Sequence, residues 1–100
     1  MKIRAISVKQ PWANMIAQGK KTREFRTWRT DHRGPLLIVS SQSPRIEPFG
    51  AAVAICTLTD CLPLRDGSYA WVLADVRPVK PFPVKGKLGL YWVQCRPHYT

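Results

Sequence analysis

Nine prolines and six glycines spread through 100 residues point to short elements and many turns. Proline removes a backbone donor and glycine weakens strand and helix interiors, so each tends to mark a turn or the end of an element. The segments between them are short. Lys2 to Val8, Lys21 to Arg29, Leu36 to Ser41, Ala51 to Asp60, Tyr69 to Val76 and Leu90 to Cys95 each read as a strand by alternation or by β-branched content. Pro78, Pro81 and Pro83 are expected to break the chain after Val76. Gln10 to Gly19 is the one helical segment, with Pro11 at its first position and Gly19 at its end. Trp12, Met15 and Ile16 give it a short apolar stripe. Six short strands and one or two short helices in a single 1–100 domain predict a mainly β fold of the α+β kind, a small sheet closed into a barrel. A chain of this size buries about 65% of its unfolded surface, enough for one core.

The charge is the second constraint. Lys and Arg number 16 against six acids, a net charge of +10. Cations in such excess displace counterions from a polyanion, so nucleic acid, or a nucleoside or nucleotide ligand, is the expected partner. No stretch has the length of a membrane span, and Lys2, Arg4, Lys9 and Lys20 interrupt any apolar leader. Cys56, Cys61 and Cys95 form no disulfide-like framework, so the expected location is a reducing cytoplasm. His32 and His98 are isolated and Cys56-x4-Cys61 lacks a second pair, so no metal or other cofactor is expected. No serine carries a nucleophile elbow, and no glycine loop has the P-loop pattern.

One run concentrates the chemistry. Within Gly19 to Arg29, Glu24 stands among Lys20, Lys21, Arg23, Arg26 and Arg29, with Trp28 beside them. A purely electrostatic patch gains nothing from a carboxylate at its centre. Strand alternation puts Thr22, Glu24, Arg26 and Trp28 on one face. Glu24 could serve as a base on water, with Lys20 or Lys21 stabilising an oxyanion and Thr22 adjacent. Equally, Glu24 could be an ion-pair hub with no chemistry. Arg26 has the fork for a phosphate, and Trp12 or Trp28 a face for a base. Trp12 also reads as a core anchor of the helix, and Trp71 and Trp92 as core or barrel-lining residues. Gln10, Trp12, Lys20, Lys21, Arg26, Trp28, Arg29, Lys85 and Lys87 are the ligand-binding candidates. Lys21, Glu24 and Thr22 are the catalytic ones.

Ser7-Val8-Lys9-Gln10-Pro11-Trp12, followed by Gly19-Lys20-Lys21-Thr22-Arg23-Glu24-Phe25-Arg26 in G-x-K-x-x-E-x-R style, resembles the ASCH domain, named after an activating signal cointegrator. Trp28-Arg29, Arg33 to Leu36, Tyr69 to Leu73 and Val84 to Leu90 extend the resemblance over nearly the whole chain. It implies a β-barrel similar to the PUA domain of RNA-modifying enzymes, a cleft near the helix, and binding of RNA or DNA, with RNA first. Some small bacterial members of the family are N4-acetylcytidine amidohydrolases or ribonucleases. The amidohydrolase type is matched at Lys21. It carries threonine where this chain has Glu24, and its separate glutamate meets only Asp60 and Asp75 by region. Three readings follow: a nucleic-acid-binding module, a small hydrolase of RNA or a modified nucleoside, and an adaptor for a protein partner.

Overall fold

The computed structural model describes all residues from Met1 to Thr100. The strands are β1 (Lys2–Val8), β2 (Arg23–Arg26), β3 (Gly34–Ser40), β4 (Ala51–Pro63), β5 (Tyr69–Pro83) and β6 (Leu90–Gln94), with one helix, α1 (Trp12–Ala17), after β1. They form a single sheet in the order β2-β5-β4-β3-β1-β6. Only β1 and β3 run parallel, with Arg4 opposite Leu36 and Val8 opposite Ser40. The remaining pairings are antiparallel.

The sheet curls into a half-barrel. In a flat sheet β2 and β1, four positions apart, would lie about 19 Å from each other, from a strand spacing of about 4.8 Å. Here the Arg26 guanidinium on β2 donates to the Ser7 carbonyl on β1. Register shifts in the β4–β5 pairing, between Ala52 and Ala54, Ile55 and Thr57, and Leu58 and Asp60, supply the bend, since each bulge adds local twist.

Alternation sorts the apolar residues onto the two faces. Leu36 and Ile38 join Ile6, Val8, Trp71 and Leu73 on one side, and Leu37 and Val39 join Ile3, Ala5 and Tyr91 on the other. Strand β3 is therefore buried on both faces, which explains its unbroken apolar run. The first face is closed by α1 through Ala13 and Ile16.

Several elements differ from the sequence expectation. Strand β5 continues past Val76 to Pro83. It tolerates its prolines because β2 pairs only with residues 69–72, which leaves the far half of β5 at the edge of the named strands. There the C-terminal tail lies alongside, with Lys80 N–H donating to the His98 carbonyl at 2.7 Å. Strand β2 is shorter than expected, four residues rather than nine, because Trp28 turns inward onto Trp71 (centroids 4.8 Å apart, edge to face). Trp92 is not core. It lies on the edge strand β6, half exposed, with the Arg4 guanidinium 4.5 Å and Lys2 Nζ 5.3 Å from its ring centre.

Candidate functional site

Local sequence explains how the site is assembled. The helix starts on Gln10, which is buried with its amide fully engaged. Its Oε1 accepts from Asn14 N–H at 3.0 Å, and its Nε2 donates to Asn14 Oδ1 at 2.9 Å and to the Pro48 carbonyl at 2.7 Å. Asn14 in turn donates to the Glu47 carbonyl, so the helix start is tied to the loop before β4. The stripe that meets the sheet contains Ala13 and Ile16 rather than Trp12 and Ile16. Alanine lets the helix approach closely, and Trp12 is displaced to the flank, 47% exposed.

Gly19, at φ 76°, ends the helix in a Schellman turn. Its N–H donates to the Ile16 carbonyl at 3.0 Å and Lys20 N–H to the Met15 carbonyl at 2.9 Å. Lys21 N–H reaches the same Met15 carbonyl, so the chain reverses and sets Lys21 beside the start of β2. Leu73 N–H donates to the Thr22 carbonyl, fastening this turn to β5. Glu24 then pairs opposite Trp71, which fixes its carboxylate on the helix side of the sheet.

The result is a cleft of about 580 Å³ between α1, β2, the end of β1 and the loop before β6. Ligand sites commonly occupy about 300–1,000 Å³. Glu24 and Lys21 form its floor, with side chains only 12% and 14% exposed. Glu24 Oε2 lies 2.9 Å from Arg26 Nη2, and Oε1 lies 3.7 Å from Lys21 Nζ. Arg26 uses the same nitrogen on the Ser7 carbonyl, and its Nε is buried without a partner. Lys21 Nζ also sits 4.8 Å above the Phe25 ring. Trp12, Phe25 and the fully exposed Leu88 give the mouth an apolar rim, and Lys9 and Lys87 add two cations that form no ion pair. Ser7 Oγ is 2.8 Å from Tyr91 Oη, and burial pushes the Tyr91 phenol up, partly opposed by that hydrogen bond.

Of the residues marked in the sequence, Trp12, Lys21, Glu24, Arg26 and Lys87 line this cleft together. The others lie elsewhere. Gln10 is buried beneath the helix, and Trp28 packs on Trp71, whose indole N–H donates to the Trp28 carbonyl at 3.4 Å. Arg29 pairs with Asp31, Lys20 and Thr22 are exposed outside the cleft, and Lys85 lines an adjoining recess. Asp60 and Asp75 do not line the cleft. Asp60 accepts from Cys61 N–H at 2.8 Å, and Asp75 sits at φ 51° in β5. Ser7, Lys9, Phe25, Ser41 and Leu88 join the lining although the sequence does not single them out. Lys9 immediately precedes Gln10-Pro11-Trp12. Phe25 falls by alternation on the opposite face.

The ASCH domain model matches residues 6–82. Human activating signal cointegrator 1 is 47% identical over 36 residues, which cover 36% of this chain and 6% of that protein. The chain thus spans only a small part of this curated relative. Crystal structures of an ASCH protein from Zymomonas mobilis share the fold. A tyrosine-to-phenylalanine mutant of that protein superposes with a TM-score of 0.74 at 18% identity over 94% of this chain and 91% of the other. The unmodified protein gives 0.72 at 16% identity over 91% and 87%. With the family's motif residues at the floor of the cleft and its model matching most of the sequence, this chain belongs to the ASCH domain family.

Proposed function

We propose that the cleft binds single-stranded RNA, with one unstacked base held against Trp12 and Phe25 and the surrounding cations meeting phosphate. The supporting observation is the charge of the cleft: Lys9, Lys21, Arg26 and Lys87 face it against Glu24 alone. Because Glu24 is held between Arg26 and Lys21, it keeps both cations in place without cancelling the excess. Half-exposed aromatics give a base a flat partner, worth about 1–3 kcal/mol per base. Membership of the ASCH family supports the same reading, and the three free cysteines fit a reducing cytoplasm.

The test is fluorescence anisotropy with a labelled mixed-sequence RNA across a salt series. Affinity should fall steeply with salt, and Lys21→Ala should weaken binding about tenfold while lowering the salt slope by about one. Binding that ignores salt, or no binding to any RNA, overturns the reading.

The depth of the floor favours one alternative, a hydrolase acting on RNA or an acylated nucleoside. Glu24 would activate water and Lys21, 3.7 Å away, would stabilise the oxyanion. Thr22 does not line the cleft and is given no role in this reading. A panel of N4-acylated cytidines and short RNAs decides it. Turnover lost in Glu24→Gln with affinity retained supports hydrolysis, and a panel left intact excludes it.

A further inference from the structure

Beside the cleft lies a second recess of about 510 Å³, bounded by the ends of β3 and β4 and the loop from Lys85 to Leu88. It shares Ser7, Ser41, Lys87 and Leu88 with the cleft, so the two form one continuous groove. Their chemistry differs. Leu88 is the single apolar residue of the recess, and no acid lines it. Two of its hydroxyls are already engaged: Ser40 Oγ with the Ala51 backbone at 3.1 and 3.2 Å, and Ser7 Oγ with Tyr91. The Ser41 hydroxyl, the Gln42 amide and the Lys85 and Lys87 ammonium groups make no internal hydrogen bond or ion pair, so they are free for a ligand. Two ammoniums with neutral donors and no carboxylate form an anion site, selective against cations.

The loop is held there by a close approach. Val84 N–H donates to the Gly50 carbonyl at 3.0 Å, which anchors its start. A Cβ at Gly86 would lie 3.0 Å from Ser7 Oγ, and that hydroxyl is fixed by Tyr91. A side chain here would push the Ser7 hydroxyl or the loop by a few tenths of an ångström, so glycine eases the close approach of the loop to β1, with Lys85 and Lys87 on either side of it.

We propose that this recess is a phosphodiester subsite. It takes the phosphate that links the base in the cleft to the next nucleotide, so the ligand is a chain of at least two nucleotides rather than a free nucleoside. This rests on the RNA-binding reading and adds a length and a charge requirement to it.

The test compares four nucleosides with UpU, ApA, CpC and GpG by NMR titration, together with the same linked pairs carrying a neutral methylphosphonate. A labelled RNA decamer serves as the control ligand. In the wild type the best linked pair should bind at least about tenfold tighter than its nucleoside. Lys85→Ala should remove about tenfold from the linked pair and nothing from the nucleoside. The neutral linkage should cost at least as much, because it also weakens the contact to Lys87, and Lys85→Ala should add little to it, because the contact it deletes is already gone. Gly86→Ala, which shifts the loop against Ser7, should weaken the linked pair in the same direction as Lys85→Ala and leave the nucleoside unaffected. If Lys85→Ala and the neutral linkage leave the linked pair's affinity unchanged while Lys21→Ala weakens the decamer, the subsite is wrong and the RNA reading stands. If neither linked pairs nor decamer bind the wild type, both fall.

Discussion

Two arginine–carboxylate pairs lie within ten residues of each other, and distance alone ranks them wrongly. Arg29 and Asp31 approach to 2.6 Å, with side chains 62% and 80% exposed. Arg26 and Glu24 stand at 2.9 Å, with side chains 23% and 12% exposed. The shorter pair is surrounded by water, where screening and side-chain entropy remove most of its value. The longer one sits in the cleft, where its field is less screened and where Glu24 also meets Lys21. Arg26 further spans from β2 to the Ser7 carbonyl on β1, so this pair helps hold the curl of the sheet. Burial and connectivity decide which contact matters.

The largest expected effect follows from removing Glu24. Glu24→Ala leaves Lys21 and Arg26 facing each other without a counter-charge. Breaking a fully buried pair costs about 3–5 kcal/mol, and these partly exposed groups should lose about 2 kcal/mol, read as a lower urea midpoint. Glu24→Gln keeps the shape and removes the charge, so RNA affinity should rise severalfold if the carboxylate only holds the cations. An unchanged midpoint in Glu24→Ala would erase the distinction between the two pairs.

Arg26→Lys comes next. Lysine keeps the charge but lacks the planar fork, so it cannot serve both Glu24 and the Ser7 carbonyl with the same geometry. The loss of one hydrogen bond should cost about 1 kcal/mol in the same denaturation experiment, with the salt slope for RNA unchanged. The matching Arg29→Lys change should cost nothing measurable and likewise leave the salt slope unchanged.

The parts of the site that are legible in the sequence are local. The Schellman turn at Gly19 and the alternation of Glu24 with Arg26 depend on residues that are neighbours along the chain, so the motif already implies a carboxylate and an arginine on one face, just after the turn that carries Lys21. What escapes depends on distant partners. Gln10 looks like a ligand contact because nothing in the sequence shows the Pro48 carbonyl waiting for its amide. Trp12 looks like the core stripe because a 3.6-residue period fits Trp12 or Ala13 equally well, and only the closeness of the helix to the sheet selects the alanine. Trp92 looks like core because strand order, which places β6 at the edge, is not written locally.

The precedence of burial extends to the thiols. Desolvation pushes the Cys56 thiol up to about 12, against an ordinary value of 9.0. The folded state therefore holds this proton more tightly than the unfolded chain does. Its contribution to stability is fully present below 9.0 and is lost as pH rises through about 12. At pH 8 a thiol reagent should label Cys95, which is partly exposed, and leave Cys56 unmodified until the chain is unfolded. Rapid native labelling at Cys56 would place that strand outside the core.

The smallest effect belongs to the shortest contact. Asp31→Asn removes the charge from a side chain that is 80% exposed and keeps its shape. Exposed pairs are worth about 0–1 kcal/mol in general, and this one bridges no two strands, so its urea midpoint should stay within the scatter of repeat measurements. The substitution frees Arg29, which lies outside the cleft, so RNA affinity should change only through the one added unit of net charge, weakly and in a salt-dependent way. A destabilisation as large as that of Glu24→Ala would mean that Arg29 and Asp31 order the path from β2 to β3. The 2.6 Å distance would then be a consequence of that ordering rather than a surface coincidence.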